Sequence, residues 1–84
     1  MDSTPNADEQ LQASEARSIV VAALQAIDEH RRAVFILHEL DEQPMPEIAA
    51  ALEIPLNTAY SRLRLARDEF RAAVARIRLR EEQP

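Results

Sequence analysis

The sequence predicts an all-α domain of four helices, with a helix-turn-helix in its second half and a long C-terminal helix. Glycine is absent from the 84 residues and alanine recurs throughout, which favours helix over strand or loop. Apolar residues recur at steps of three and four, the spacing of one helix face. Aromatic residues make up only 4% of the chain, so a β-sandwich is not expected.

The first helix is predicted over residues 9–27. Residues 1–8 are polar and contain a proline, so we expect a flexible tail or linker remnant there. The helix-turn-helix domain is expected to span residues 9–80, and the residues 81–84 form a frayed tail. The apolar face of the first helix consists of Leu11, Ile19, Val20, Ala23, Leu24 and Ile27.

A second helix is predicted between Asp28, whose side chain can cap its first turn, and about Leu40. The segment 41–46 interrupts the apolar spacing. Pro46 suits the first turn of a third helix, where its missing N–H costs little.

The fourth helix is predicted to follow a turn at residues 54–56, with Asn57 or Thr58 as its cap. Its apolar stripe consists of Ala59, Leu63, Ala66, Phe70, Val74 and Ile77. The predicted core comprises Ile19, Leu24, Ile27, Val34, Phe35, Leu37, Leu40, Ile48, Leu52, Ile54, Leu63, Ala66 and Phe70.

Charge is unevenly distributed along the chain. The net charge is −5, but residues 1–53 carry −8 and residues 54–84 carry +3, and all ten basic residues are arginine. Binding to phosphate depends on the local field, so the basic second half can contact DNA despite the acidic total. The acidic first half limits non-specific DNA binding and leaves room for a protein partner.

The first turns of the fourth helix carry side chains suited to reading DNA. In a helix-turn-helix the second helix enters the major groove, so the fourth helix is predicted to be the recognition helix. Arginine binds guanine bidentately, asparagine reads adenine, and hydroxyl groups bind phosphates or base edges. The side chains predicted to face away from the core are Asn57, Thr58, Tyr60, Ser61, Arg62 and Arg64.

Arginines beyond residue 70 are interpreted as a solvated face. Nearby acidic side chains at helical spacing supply partners for them. These acidic residues are Asp68, Glu69, Glu81 and Glu82.

The chain resembles region 4 of bacterial RNA polymerase sigma factors, most nearly the extracytoplasmic-function type. The resemblance covers residues 24–74. It is carried by IDEHRRAVFILHEL at 27–40, MPEIAAAL at 45–52, IP at 54–55, NT at 57–58 and SRLRLAR at 61–67.

This resemblance implies recognition of the promoter −35 element, docking on the β flap of RNA polymerase core, and sequestration by an anti-sigma factor, in the bacterial cytoplasm. It implies recognition positions at Asn57, Thr58, Tyr60, Ser61 and Arg62, and backbone or base contacts by Arg64 and Arg67. It also implies that Arg32 contacts phosphate or braces the fold. Since region 2 is absent, we expect an excised C-terminal domain.

The chain departs from the family pattern at several positions. Glu53 stands where the turn usually carries glycine, and Tyr60 where lysine is common. A left-handed conformation costs a non-glycine residue about 1 kcal/mol or more. We therefore expect the turn at Glu53 to adopt another geometry.

Two other non-catalytic functions remain open. One is a stand-alone helix-turn-helix regulator, similar to response-regulator output domains, that dimerises through its last helix; it would require a DNA site with two symmetric half-sites. The other is an interaction module that binds polymerase or an anti-sigma factor without binding DNA.

No enzyme activity, metal, cofactor, small-molecule substrate or membrane span is expected. His30 and His38 lie about two helical turns apart, too far to share a metal. The chain has no cysteine, and no apolar run approaches the roughly 20 residues of a membrane span.

Overall fold

A computed structural model describes Thr4 and residues 6–82, and in this part of the chain four α-helices and one π-helical turn occur without a β-strand. The elements are α1 (Ala7–Gln25), α2 (Glu29–Phe35) continued by a π-helical turn (Ile36–Leu40), α3 (Met45–Leu52) and α4 (Leu56–Glu82). The predicted all-α class is confirmed. The predicted tails fall partly outside the described residues; Ala7 and Asp8 lie in α1, and Glu81 and Glu82 end α4.

The first half of α1 is exposed. Asn6 caps the helix, because its side chain accepts a hydrogen bond from the backbone N–H of Glu9 at 2.8 Å. Every residue from 7 to 18 is exposed, and Leu11 is 59% exposed, so the prediction that it lies on an inward face is wrong. Ala23 is the buried residue of α1. The helix therefore packs on the rest of the molecule only through its C-terminal half.

The cap predicted for α2 is confirmed, since the Asp28 carboxylate accepts a hydrogen bond from the N–H of His30 at 3.1 Å. The helix then widens into a π-helical turn, in which the N–H of Asp41 donates to the carbonyl of Ile36, five residues earlier, at 3.1 Å. The extra residue rotates the end of the turn around the helix axis. Leu40 is consequently 56% exposed, and its predicted place in the core is wrong.

The turn between α3 and α4 is left-handed despite the missing glycine. Glu53 has φ 57° and ψ 45°, so the expectation of another geometry is wrong. The N–H of Ile54 donates to the carbonyl of Ala49 at 3.0 Å, and the N–H of Glu53 donates to that of Ala50 at 3.2 Å. These two bonds form a Schellman motif, and Ile54 packs against the core beside it. The hydrogen bonds and this apolar contact offset the strain.

The fourth helix begins at Leu56, at least two residues earlier than its predicted caps allow. The carbonyl of Pro55 accepts the first helical bond, from Ala59 at 3.1 Å, so Pro55 takes the cap position. Asn57 and Thr58 lie inside the first turn, and the prediction that one of them is the cap is wrong. The Asn57 side chain still accepts a hydrogen bond from the N–H of Thr58 at 3.0 Å.

The core lies where α2, α3 and the first half of α4 meet. Phe35 and Phe70 stack across it with ring centroids 5.0 Å apart. Small residues of α4 at the contact, such as Ala59 and Ala66, are fully buried. The buried cluster consists of Ile27, Val34, Phe35, Met45, Ile48, Ala49, Ala59, Leu63 and Ala66, with Leu24, Leu37, Leu52, Ile54 and Phe70 packed around it. Apart from Leu40 and the half-buried Ile19, the predicted core is confirmed.

Candidate DNA-binding surface

The rotation of α4 about its axis is set by its buried residues. Ala59, Leu63 and Ala66 are each at most 4% exposed, and they hold one face of the helix against the core. The opposite face of the first turns is therefore presented outward. Seven predicted site residues lie on these turns: Asn57, Tyr60, Ser61 and Arg64 are exposed, and Thr58, Arg62 and Arg67 are half-buried.

Two shallow concavities flank the first turns of α4, and Ser61 lines both. The first, named the His38 concavity, is formed by His38, Met45, Tyr60, Leu63, Arg64, Arg67, Asp68 and Arg71. The second, named the Asp28 concavity, is formed by Asp28, His30, Arg31, Asn57, Thr58, Arg62 and Leu65. The seven predicted residues of α4 thus form one continuous surface that extends to the two ends of the α2 segment.

The arginines of this surface differ in whether they are neutralised. Arg67 donates from Nε to the Glu39 carboxylate at 2.6 Å, and Arg71 lies 3.6 Å from the carboxylate of Asp68. Arg62 and Arg64 form no ion pair within the part of the chain that the structure describes. Their charges are therefore available to an anionic ligand.

A network of charged groups ties the start of α2 to α4 beneath this surface. The Glu69 carboxylate accepts hydrogen bonds from Arg31 Nε and, at 3.3 Å, from the N–H of Asp28. The hydrogen bond from Arg31 lowers the pKa of Glu69 below its ordinary value, because it favours the charged carboxylate. The same bond raises the pKa of Arg31. Glu69 was predicted to pair along α4; instead it connects two helices.

Arg32 does not lie with the other predicted site residues. Its Nη2 atom donates to the carbonyl of Ile27 at 2.8 Å and to that of Gln25 at 3.3 Å. Its Nε atom is buried and has no hydrogen-bond partner within the described chain. A cation on the last carbonyls of a helix satisfies acceptors that the helix itself leaves open. Arg32 was predicted either to contact phosphate or to brace the fold. The contacts seen here brace the end of α1.

The surface offers backbone and side-chain donors to an anion. The N–H groups of Leu56 and Asn57 at the start of α4 have no hydrogen-bond partner in the described part of the chain, so they can donate to a phosphate. Arg62 and Arg64 can donate to phosphates or to guanine. Among the described residues, no group of three or more His, Asp or Glu side chains is placed to hold a metal ion.

Sequence reasoning missed several residues of this surface. Glu39 binds Arg67 from the π-helical turn, and no spacing rule relates two residues 28 positions apart. Leu65 is 41% exposed beside Arg62, and its exposure could have been found on the helical wheel of α4. Met45, which falls in the segment 41–46 predicted to interrupt the helices, begins α3, is 4% exposed and lines the His38 concavity.

Comparison with known families identifies the domain. A family profile described as Sigma-70, region 4 matches residues 17–70, which is well over half of the chain. The chain belongs to the sigma-70 region 4 family. The match begins within α1, includes α2, α3 and the turn that follows, and ends at Phe70 in the middle of α4. A comparison with curated proteins finds no match.

Membership in the sigma-70 region 4 family accounts for the surface described above. The family consists of DNA-binding, non-catalytic domains of sigma factors, which act in transcription initiation. The helix-turn-helix of this region 4 domain carries Arg62 and Arg64, which have no ion pair in the described chain, on the first turns of its second helix. None of the described helices has the length and apolar character needed to cross a membrane.

Proposed function

We propose that this region 4 domain recognises the −35 element of a promoter, as the C-terminal domain of a sigma factor of the extracytoplasmic-function type bound to RNA polymerase. One observation carries the proposal. Arg62 and Arg64, without ion pairs in the described chain, lie among exposed polar side chains on the first turns of the second helix of the helix-turn-helix.

The side chains around these arginines supply both kinds of contact that a promoter reader needs. Asn57 and Arg62, on the Asp28 concavity, suit base edges of adenine and guanine. The exposed Leu65 beside them offers an apolar contact for a thymine methyl group. Tyr60 and Arg64, on the His38 concavity, suit the sugar-phosphate backbone. The proposed orientation of α4 on DNA therefore places sequence reading on one flank and backbone binding on the other.

Polymerase docking on the β flap is supported by an apolar groove on the same molecule. The groove is formed by Val20, Phe35, Leu40 and Phe70, and Glu39, Arg67 and Arg71 also line it. Leu40 is 56% exposed there, which is unfavourable for an apolar side chain that stays in water. An apolar helix or loop tip of the polymerase flap would cover it.

The proposal predicts a sequence-dependent loss of DNA affinity in Arg62→Ala. The unaltered chain is used to select a binding site from random-sequence duplexes, and affinities for that site are measured by fluorescence anisotropy at several salt concentrations. If Arg62 contacts a base, the variant loses about 1–3 kcal/mol and relaxes the preference at one position. If it contacts a phosphate, the salt slope falls by about one with sequence preference retained.

Arg80→Ala is the matched control for this experiment. Arg80 follows Arg62 by 18 residues, which is about five whole helical turns, so it lies on the same side of α4 roughly 27 Å further along the axis. The Arg80→Ala substitution removes the same charge at a position away from the proposed surface, so we expect little change in DNA affinity. If the two substitutions weaken binding equally, the arginines act only through the overall positive charge of α4, and the proposal is contradicted. A selected site with two symmetric half-sites would instead indicate the stand-alone regulator.

A further inference from the structure

We propose that Glu39 is a positioning residue for DNA binding, which holds Arg67 in an orientation that leaves its two terminal nitrogens for a backbone phosphate. This inference rests on the proposed function of the surface. The contact uses only Nε of the guanidinium, at 2.6 Å from Glu39 Oε1. Within the described chain the two terminal nitrogens of Arg67 have no hydrogen-bond partner.

The Glu39–Arg67 contact joins two separate elements, and this distinguishes it from the other arginine pair of the surface. Glu39 belongs to the π-helical turn and Arg67 to α4, and their side chains are 33% and 42% exposed. Arg71 instead pairs with Asp68 on its own helix, at 3.6 Å, with side chains 74% and 63% exposed. The Arg67 side chain is therefore held from outside its own helix, whereas the Arg71 pair is longer, more exposed and confined to α4.

The π-helical turn brings Glu39 to this place. A turn with bonds from residue i to i+5 contains one residue more than an α-helical turn, so the residues at its end are rotated relative to a regular helix. Glu39 and Leu40 are both displaced by this rotation, and Glu39 thereby faces Arg67. The feature that exposes Leu40 also provides the carboxylate.

A phosphate is the ligand that suits the exposed part of Arg67. Arg67 lines the His38 concavity together with Tyr60, Ser61 and Arg64. The fork of an arginine binds a phosphate through two parallel hydrogen bonds, and this geometry is specific for planar or tetrahedral oxyanions. An arginine already held in place loses less side-chain entropy on binding than one that must first be ordered.

The sign of the effect of removing Glu39 decides between positioning and simple electrostatics. A carboxylate near DNA repels the phosphates, so charge alone predicts that its loss strengthens binding. Positioning predicts the opposite, because Arg67 becomes mobile. We expect Glu39→Ala to weaken binding to the duplex selected with the unaltered chain by about two- to tenfold, the cost of immobilising one flexible side chain.

Two further variants of the full chain separate this role from a structural one. Glu39→Gln keeps an oxygen that can accept from Arg67 Nε, and we expect it to restore part of the lost affinity. Asp41→Asn removes a neighbouring exposed carboxylate that has no ion pair in the described chain, and binding should stay equal or become tighter. Circular dichroism on each variant confirms that the helical fold is retained.

The decisive step is a double-mutant cycle. Arg67→Ala should weaken binding and lower the salt slope by about 0.9, and adding Glu39→Ala to it should cause no further loss. The proposal is overturned if Glu39→Ala binds as tightly as Asp41→Asn, or if its effect persists without Arg67. In either case an intact Arg62→Ala effect leaves the proposed function standing. Absence of DNA binding by the unaltered chain refutes both.

Discussion

Glu69 is the residue on which the joint between α2 and α4 depends. Its carboxylate accepts from the Arg31 side chain and from the backbone of Asp28, so it holds the first turn of α2 through both a charge and an N–H. The side chains of Arg31 and Glu69 are 33% and 29% exposed. Partial burial keeps solvent screening moderate, and the joint holds the start of α2 against α4, the two elements that form the Asp28 concavity.

The lowered pKa of Glu69 predicts a specific dependence of stability on pH. A carboxyl whose pKa is depressed by folding stabilises the fold fully above its ordinary value of 4.5, and this contribution is lost as pH falls through the depressed value. The free energy of unfolding of the chain should therefore exceed that of Glu69→Gln at neutral pH, and the difference should shrink under acid conditions. Urea denaturation across this pH range measures it.

Glu81→Gln serves as the control for the pH series. Glu81 is exposed on the last turn of α4 and has no ion pair in the described chain, so its loss should leave the curve close to that of the unaltered protein. A difference between Glu69→Gln and the unaltered chain that stays constant down to acid pH would show that the Arg31 contact does not act through ionisation.

At this scale, sequence reasoning succeeds for local contacts and fails for distant ones. Asp28 was predicted to cap α2 because a cap involves backbone only two or three residues away. The partners of Glu69 and Arg67 lie 38 and 28 residues away along the chain, and no local spacing predicts them. The predicted residues of α4 share a surface because one helix carries them. The contacts of the Arg32 side chain, in contrast, depend on where α1 ends, which the local spacing around Arg32 does not predict.

Among the elements, the α3–α4 turn carries local backbone strain. Glu53 adopts the left-handed conformation that glycine occupies at little cost. Glu53→Gly should raise the free energy of unfolding by about 1 kcal/mol, because it relieves the strain. The greater backbone freedom of glycine in the unfolded chain subtracts part of this gain. Thermal and urea denaturation measure the change, and the predicted direction is a gain in stability.

Glu53→Ala separates backbone strain from charge. It removes the carboxylate but keeps Cβ, so it should gain nothing comparable to glycine. If alanine stabilises the chain as much as glycine, the effect comes from the acidic side chain and the strain argument is wrong.

Helix existence was predictable from the sequence and helix detail was not. The apolar spacing and Pro46 located all four helices, and Pro46 lies in the first turn of α3 as predicted. The π-helical turn was missed because α- and π-helical turns use the same residue types, and packing selects between them. The Schellman motif at Glu53 was missed because glycine is its usual sequence signal.

Viewed as a whole, the molecule is flat. Its principal extents are 45, 39 and 14 Å, and its radius of gyration is 15.9 Å, against about 12 Å for a compact chain of this length. The exposed first half of α1 and the long α4 account for the extended shape. A flat domain has a shallow core and much surface, which suits the binding of the two large partners proposed above.

At the scale of the whole molecule, we predict that binding to the polymerase flap and binding to DNA can be abolished separately, by substitutions on different surfaces. Leu40→Asp places a charge in the apolar groove and should abolish capture by the purified β flap of RNA polymerase, while binding to the selected duplex is largely retained. Leu40 is 56% exposed, so the substitution should leave the fold intact. The double variant Arg62→Ala, Arg64→Ala should show the reverse. Flap capture that survives Leu40→Asp would exclude this groove as the docking site.

The apolar groove and the His38 concavity share two walls, Arg67 and Arg71. Ligands on either side of the same side chains are thermodynamically linked whenever one of them shifts those side chains. The factor by which an occupied groove changes affinity for DNA must then equal the factor by which DNA changes affinity for the groove's occupant. DNA that engages Arg67 would thus strengthen or weaken the proposed docking of polymerase in the groove, and the two arginines would make each of the two proposed binding events depend on the other.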